Sequence, residues 1–88
     1  MKAGATYCVY ILRCKDNTLY TGITIDPARR LREHQTGKGG NYTRVHVGVK
    51  MEHIEHVLTR GMALRREAEI KKFSRAKKLE LIKTTKIK

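Results

Sequence analysis

Two short runs of strand-forming residues, joined by a polar turn, most constrain how this chain can fold. Residues 7–14 and 19–23 are rich in β-branched and aromatic types, which favour strands. The Lys15-Asp16-Asn17 segment between them has the composition of a turn. The sequence therefore predicts an antiparallel hairpin. Tyr10 and Tyr20 share a face of this hairpin only in some registers, and the sequence leaves the register open.

Helical signals follow the hairpin. Asp26-Pro27 predicts the start of a helix over residues 27–35, because Asp caps free N–H groups and Pro has none to leave unpaired. A segment with three glycines, 36–41, ends it. Residues 47–58 fit a strand or a helix, and we predict a strand. Residues 62–73 are good helix formers, and Ser74 is predicted to cap a third helix that reaches residue 82.

The predicted order of elements is therefore β-β-α-β-α-α. This order is typical of an α+β fold, in which a three-stranded antiparallel sheet is flanked by helices. With 88 residues the chain has room for one domain, 1–88. We expect its core to span about residues 7–82 and a basic tail, 83–88, to fray.

The charge balance is the strongest compositional signal. Twenty Lys and Arg against 8 Asp and Glu leave a net charge of +12. A polyanionic partner offsets the self-repulsion of such a surface, so nucleic acid is the favoured partner, with a solvated basic face, a ribosome-associated role or an anionic membrane surface as alternatives. The predicted phosphate contacts are Lys38 and Arg44, in or near the glycine-containing segment, and Lys71, Lys72, Arg75, Lys77 and Lys78. For Lys38 and Arg44 the alternative is a plain connector, and for the other five residues it is a solvated helix.

Other classes of protein are disfavoured by the sequence. It has no apolar run near the roughly 20 residues of a membrane span and no signal peptide, so we expect a cytoplasmic protein without a membrane partner. Cys8 and Cys14 share one predicted strand, about 20 Å apart if extended, and are expected to be reduced. Together with His46, His53 and His56 they lack the spacing of a structural zinc site. No nucleotide-binding loop or other small-molecule cofactor motif is present.

Arg30 and His34 are candidates for phosphate chemistry. They stand four residues apart on the predicted first helix and therefore share a face. Arg presents a planar fork of donors to phosphate oxygens, and His exchanges a proton near neutral pH. A pair of solvated surface residues is the alternative interpretation.

Glu67 is the sharpest anomaly in the sequence. It projects from the middle of an apolar arc on the predicted second helix, with Leu64 and Ala68 on one flank and Ala63 and Ile70 on the other. A carboxylate in such a place is costly unless a cation, a donor or a metal satisfies it. Glu67 is therefore either a functional residue or part of an internal salt bridge to Arg30, Arg65 or Lys71.

Beyond these single residues, a larger pattern resembles a known family. Cys8-Val9-Tyr10 and Tyr20-Thr21-Gly22 resemble the paired tripeptides that name the GIY-YIG nuclease superfamily. Arg30, His34 and Glu67 fall at positions similar to the family's arginine, a frequent histidine and the metal-binding glutamate. The chain most resembles the short, single-domain bacterial YhbQ-like proteins, over about residues 7–82. It departs from the superfamily pattern at Cys8-Val9 and at Ile23, where excision-repair nucleases have a catalytic lysine.

The resemblance implies a nuclease that hydrolyses phosphodiester bonds in DNA, rather than RNA, with a role in DNA repair or processing. One divalent ion, Mg²⁺ or Mn²⁺, would bind Glu67, and Arg30 would hold the scissile phosphate. Tyr20, helped by His34, would deprotonate the attacking water, and Tyr10 would orient the water or the phosphate. The competing hypotheses are a non-catalytic nucleic-acid-binding protein with the same fold and a partner-docking or ribosome-associated basic protein.

Overall fold

The computed structural model describes residues 6–36 and 50–84. Six elements follow one another there: β1 (Tyr7–Arg13), β2 (Leu19–Thr24), α1 (Pro27–Gln35), β3 (Lys50–Val57), α2 (Arg60–Lys71) and α3 (Arg75–Lys83). The predicted α+β order, β-β-α-β-α-α, is confirmed, including the strand chosen over a helix for β3. Predicted strand residues 47–49 and tail residues 85–88 lie outside the described part of the chain.

The helix boundaries are decided by capping side chains. Asp26 accepts a hydrogen bond from the Arg29 amide at 3.1 Å, and α1 spans the predicted residues. The prediction that α2 begins at residue 62 is wrong, because Thr59 caps this helix and it begins at Arg60. Ser74 caps α3 as predicted and accepts a hydrogen bond from the Lys77 amide at 3.1 Å.

The three strands form one antiparallel sheet in the order β2-β1-β3. In the hairpin, Tyr10 is opposite Gly22 and Leu12 is opposite Tyr20. Side chains two residues apart on a strand share a face, so Tyr10 and Tyr20 lie on the same face in a diagonal arrangement. Their ring centroids are 6.4 Å apart. The register, which the sequence left open, thus brings the two tyrosines together.

The central strand β1 is covered on both faces. On one face, Val9 and Ile11 form the hydrophobic core with Ala63 and Ile70 of α2. On the other face, Tyr10 is buried beneath α1 and contacts His34. Because helices lie on both sides, β1 is buried from Cys8 to Leu12 instead of alternating between buried and exposed residues. The α1 side of the sheet therefore carries Tyr10 and His34, whereas the α2 side carries the hydrophobic core together with His53 and Glu55 of β3.

Two further predictions concern thiols and membranes. Cys8 and Cys14 are both buried free cysteines, as expected from their distance along the chain, and burial raises the pKa of each thiol. Within residues 6–36 and 50–84, none of the helices has the length and apolar character needed to span a membrane.

Candidate functional site

The candidate site is centred on the hydroxyl group of Tyr10. This side chain is 1% exposed, in the middle of the central strand. His34 Nε2 lies 3.2 Å from the hydroxyl oxygen, and Arg30 Nε donates a hydrogen bond to it at 3.4 Å. Arg30 and His34 lie one turn apart on α1, so the predicted shared face of this helix is the face that covers Tyr10.

Tyr20 completes a cluster of three rings. Its ring centroid is 5.3 Å from that of His34, and the His34 ring packs edge-on against Tyr10 at 6.0 Å. Tyr20 is half-buried at the side of the cluster, whereas Tyr10 and His34 are buried. Four of the five predicted catalytic residues, Tyr10, Tyr20, Arg30 and His34, are therefore brought together by the packing of α1 on the hairpin.

Gly22 provides the space for Tyr10. A Cβ atom added at Gly22 would lie 2.5 Å from the Tyr10 hydroxyl oxygen and 2.7 Å from its Cζ. No real side chain tolerates such a contact, so the position of the Tyr10 hydroxyl depends on the absence of a side chain at residue 22. In the sequence, only the family resemblance singled out Gly22. The cross-strand contact with Tyr10 explains why this position is a glycine.

Glu67, the predicted metal ligand, lies on the inner side of α2. Its side chain is 19% exposed and lies beside the stripe of the helix that carries the buried residues Ala63 and Ile70. The predicted apolar arc is wrong on its other flank, where Leu64 and Ala68 are exposed, because α2 packs on the sheet along a narrower stripe. Glu67 Oε2 is 3.3 Å from Lys71 Nζ. Of the three salt bridges considered from the sequence, the one to Lys71 is thus present.

The ionisable groups of the site shift one another's pKa values. Burial raises the pKa of Tyr10; the hydrogen bond from Arg30 opposes this, and the charges of Tyr20 and Glu67 raise it further. The influence of Glu67 on Tyr10 shows that the carboxylate lies within electrostatic reach of the cluster. The contacts of Arg30 with Tyr10 and Glu33 raise its pKa far above its ordinary value, so its guanidinium stays charged.

His34 is held in the neutral form near pH 7. Burial lowers its pKa below the ordinary value, and the charge of Arg30 lowers it further, although Glu33 opposes the shift. A neutral imidazole can accept a proton from a neighbouring hydroxyl group, whereas a protonated one cannot. Its environment thus allows His34 to act as a proton acceptor next to Tyr10.

The lowered pKa of His34 predicts a pH dependence of stability. The unfolded state binds a proton at His34 more readily than the folded state, so stability is complete above the ordinary pKa of about 6.5 and is lost as the pH falls below it. Urea unfolding at pH 7.5 and pH 5.0 measures this loss. We expect His34→Gln to reduce the difference between the two pH values and His56→Gln, at an exposed position, to leave it intact. Equal differences in wild type and His34→Gln would contradict the prediction.

Among the described residues, no group of three or more His, Cys, Asp or Glu side chains is arranged to hold a metal ion. A single carboxylate still suits magnesium, which proteins commonly hold through one or two carboxylates together with substrate phosphates and water. Glu67, whose carboxylate is largely withdrawn from solvent, is the residue that would hold such an ion.

The predicted phosphate contacts that the structure describes lie on α2, on α3 and at the junction between them. Lys71 pairs with Glu67, and Lys77 packs over the ring of Phe73 at 4.7 Å. Lys72 and Arg75 are exposed near the junction of α2 and α3, and Lys78 is half-buried on α3. Lys38 and Arg44 lie outside the described residues, as does His46.

An ion-pair network that sequence reasoning missed joins α2 to β3. Arg66 donates two hydrogen bonds to the Glu55 carboxylate, at 2.7 and 2.9 Å, and a third to Glu69 at 2.8 Å. His53, buried on β3, contacts the same Glu55 at 2.7 Å. The Arg66 contacts hold the pKa of Glu55 below its ordinary value. This network anchors the helix that carries Glu67 to the sheet.

Comparison with known proteins defines the class of this fold and site. Residues 6–80 match the family described as the GIY-YIG catalytic domain. This match includes β1, β2, α1, β3, α2 and most of α3, and therefore all five residues of the predicted catalytic set. The resemblance read from the paired tripeptides is confirmed at the level of the family.

Individual relatives identify a narrower group of proteins within this family. The "UPF0213 protein" of Syntrophus aciditrophicus is 54% identical over 76 residues, covering 85% of this chain and 87% of the relative. That of Haloquadratum walsbyi is 51% identical over 73 residues, covering 83% and 82%. The solution NMR structure of protein EF2693 from E. faecalis has 40% identity and a TM-score of 0.63, with 96% and 90% covered. The chain belongs to the short UPF0213 proteins of the GIY-YIG nuclease family.

Proposed function

We propose that this protein is a metal-dependent nuclease that hydrolyses phosphodiester bonds in DNA. The observation that carries the proposal is the convergence of Arg30 and His34 on the Tyr10 hydroxyl group, at 3.4 and 3.2 Å. Hydrolysis of a phosphodiester needs a cation for the phosphate and a group that takes a proton from water. Arg30 and His34 are the candidates for these two groups, and the match of residues 6–80 to the GIY-YIG catalytic domain supports a nuclease.

Arg30 is the proposed ligand of the scissile phosphate. Its pKa is raised by Tyr10 and Glu33, so the guanidinium remains charged at every physiological pH. Glu33 accepts a hydrogen bond from Arg30 Nη1 at 2.8 Å and orients the planar group. A cation fixed in advance stabilises the charge that develops in the transition state without having to reorganise.

Glu67 is the proposed ligand of one divalent ion, Mg²⁺ or Mn²⁺. Its position on the inner side of α2 removes the carboxylate from most of the solvent, and its charge acts on Tyr10. When bound, such an ion polarises a phosphoryl oxygen and stabilises the leaving oxygen. The ion pair with Lys71 keeps additional positive charge beside the same carboxylate.

We assign the proton transfer to Tyr10 and His34 acting together. The hypothesis from the sequence assigned it to Tyr20 with help from His34, but the hydrogen-bond distance from His34 Nε2 to the Tyr10 hydroxyl favours Tyr10. As the water oxygen bonds to phosphorus, its proton passes to the Tyr10 oxygen while the Tyr10 proton passes to His34 Nε2. This relay avoids a free tyrosinate, which the raised pKa of Tyr10 disfavours. Tyr20 then orients the water or the phosphate.

Cleavage of labelled single-stranded, duplex and branched DNA, with Mg²⁺ or Mn²⁺, tests the proposal. We expect metal-dependent products from wild type and a rate about 10²–10⁴-fold lower for Tyr10→Phe, because the proton relay is lost. Tyr20→Phe is expected to retain more activity than Tyr10→Phe. Tyr7→Phe is the matched control, since Tyr7 lies on the same strand but on the opposite face of the sheet.

Two outcomes of this experiment would overturn the proposal. DNA that is bound but not cut by wild type would favour the competing function, a non-catalytic nucleic-acid-binding protein with the same basic surface. Equal cleavage by wild type and Tyr10→Phe would remove the proposed relay and would indicate a contaminating nuclease. A role in DNA repair or processing belongs to the proposal only if branched or damaged substrates are cut faster than plain duplex.

A further inference from the structure

A basic recess lies at the hairpin turn, outside the tyrosine cluster. It has a volume of about 240 Å³ and is lined by Thr18 and Leu19 of the hairpin and by Arg75 and Lys78 of α3. Arg75 and Lys78 are three residues apart on the first turn of α3, so both face the recess from one side. Two cations therefore converge on one small concave surface.

Neither cation is neutralised within the described part of the chain. No carboxylate of residues 6–36 or 50–84 lies within the 4.0 Å of an ion pair from Arg75 or Lys78. Lys78 is half-buried, whereas Lys77 and Lys83 on the same helix are exposed. A cation that is partly withdrawn from water and lacks a counter-charge attracts an anionic ligand more strongly than a fully solvated one.

The acidic residue of the turn is committed to other contacts. Asp16 Oδ1 accepts hydrogen bonds from the Thr18 amide at 3.1 Å and from the Thr18 hydroxyl at 2.7 Å. Asn17 adopts the left-handed conformation, with a φ of 71°, which asparagine tolerates better than most residues. These contacts hold the turn in a defined shape, so the wall of the recess is preorganised.

We propose that Arg75 and Lys78 form a phosphate-binding subsite for the DNA backbone, apart from the position of the scissile phosphate. The proposal rests on the proposed nuclease function. Leu19 lies three residues along β2 from Gly22, so its side chain is on the core face of the sheet, opposite the face that carries Tyr10. The subsite is therefore separate from the tyrosine cluster. Because β2 is an edge strand, bound DNA would reach both places around this edge of the sheet.

Binding measured in EDTA, where metal-dependent cleavage does not occur, tests the subsite. Affinity for a labelled DNA duplex is titrated against salt for wild type and for the double variant Arg75→Gln/Lys78→Gln. Each lost phosphate contact lowers the slope of log affinity against log salt by about 0.9, so we expect a slope smaller by about 1.8. Arg60→Gln/Arg65→Gln removes the same charge from exposed positions of α2 and is expected to change the slope by less than about 0.5.

A charge-conserving variant separates a lost contact from a folding defect. Arg75→Lys/Lys78→Arg is expected to keep the wild-type slope, with far-ultraviolet circular dichroism unchanged in all variants. An Arg75→Gln/Lys78→Gln slope equal to that of wild type, or equal to that of the control, overturns the subsite. If the salt slope is unchanged in Arg75→Gln/Lys78→Gln and DNA is still cleaved, the subsite is rejected and the nuclease function stands. If the salt slope falls as expected but wild type cleaves no DNA, the nuclease function is rejected and the subsite belongs to a DNA-binding protein.

Discussion

Glu67→Gln is expected to lower the rate of metal-dependent DNA cleavage by about a thousandfold while leaving DNA binding nearly unchanged. The substitution keeps the shape of the side chain but removes the charge that is proposed to hold the divalent ion. Such an ion would supply several kcal/mol of transition-state stabilisation, and each 1.36 kcal/mol corresponds to about tenfold in rate. Binding depends mainly on Lys and Arg contacts to phosphates, which this substitution does not remove.

Glu69→Gln is the matched control for this experiment. It removes the same charge from the same helix, but the Glu69 side chain is 59% exposed and pairs with Arg66, whereas that of Glu67 is largely withdrawn from solvent. We expect Glu69→Gln to cut at close to the wild-type rate. Rates are compared at several Mg²⁺ concentrations and at matched purity. Similar rates for Glu67→Gln and wild type would show that Glu67 does not bind the catalytic ion.

Gly22→Ala is the second substitution with a large expected effect. The added methyl group would lie 2.5 Å from the Tyr10 hydroxyl oxygen, so the tyrosine ring has to move away from Arg30 and His34. A displacement of about 1 Å at a reacting group costs roughly a hundredfold in rate. The crowding is also expected to destabilise the fold by about 1–3 kcal/mol, because Tyr10 is buried beneath α1 and has little room to move.

Gly61→Ala distinguishes the crowding from a general effect of the substitution. Gly61 lies in the first turn of α2, where the nearest atom to an added Cβ is Thr59 Oγ1 at 3.9 Å. Alanine has a higher helix propensity than glycine, so we expect Gly61→Ala to be stabilising by up to about 1 kcal/mol and fully active. Urea unfolding and the DNA cleavage assay are run on both variants. Wild-type activity of folded Gly22→Ala would show that the position of the Tyr10 hydroxyl does not control the reaction.

The sequence by itself determined the local elements of this protein. Asp26 and Ser74 accept hydrogen bonds from backbone amides three residues away, so the starts of α1 and α3 depend on neighbours along the chain. The strand-forming residues on either side of the polar turn likewise predicted the hairpin, because its two strands are neighbours along the chain. The helical spacing of Arg30 and His34 likewise placed them on one face before any tertiary contact was known.

Only the tertiary structure decided how these elements form a site. Tyr10 and His34 are 24 residues apart, and their contact depends on the packing of α1 against β1. The hairpin register placed Tyr20 on the face of Tyr10, and a shift by one residue would have turned it to the apolar core. The packing of α2 likewise exposed Leu64, which the helical pattern had placed on a buried flank, and put Glu67 within electrostatic reach of Tyr10. Helix periodicity specifies which residues share a face, but burial depends on what packs against that face.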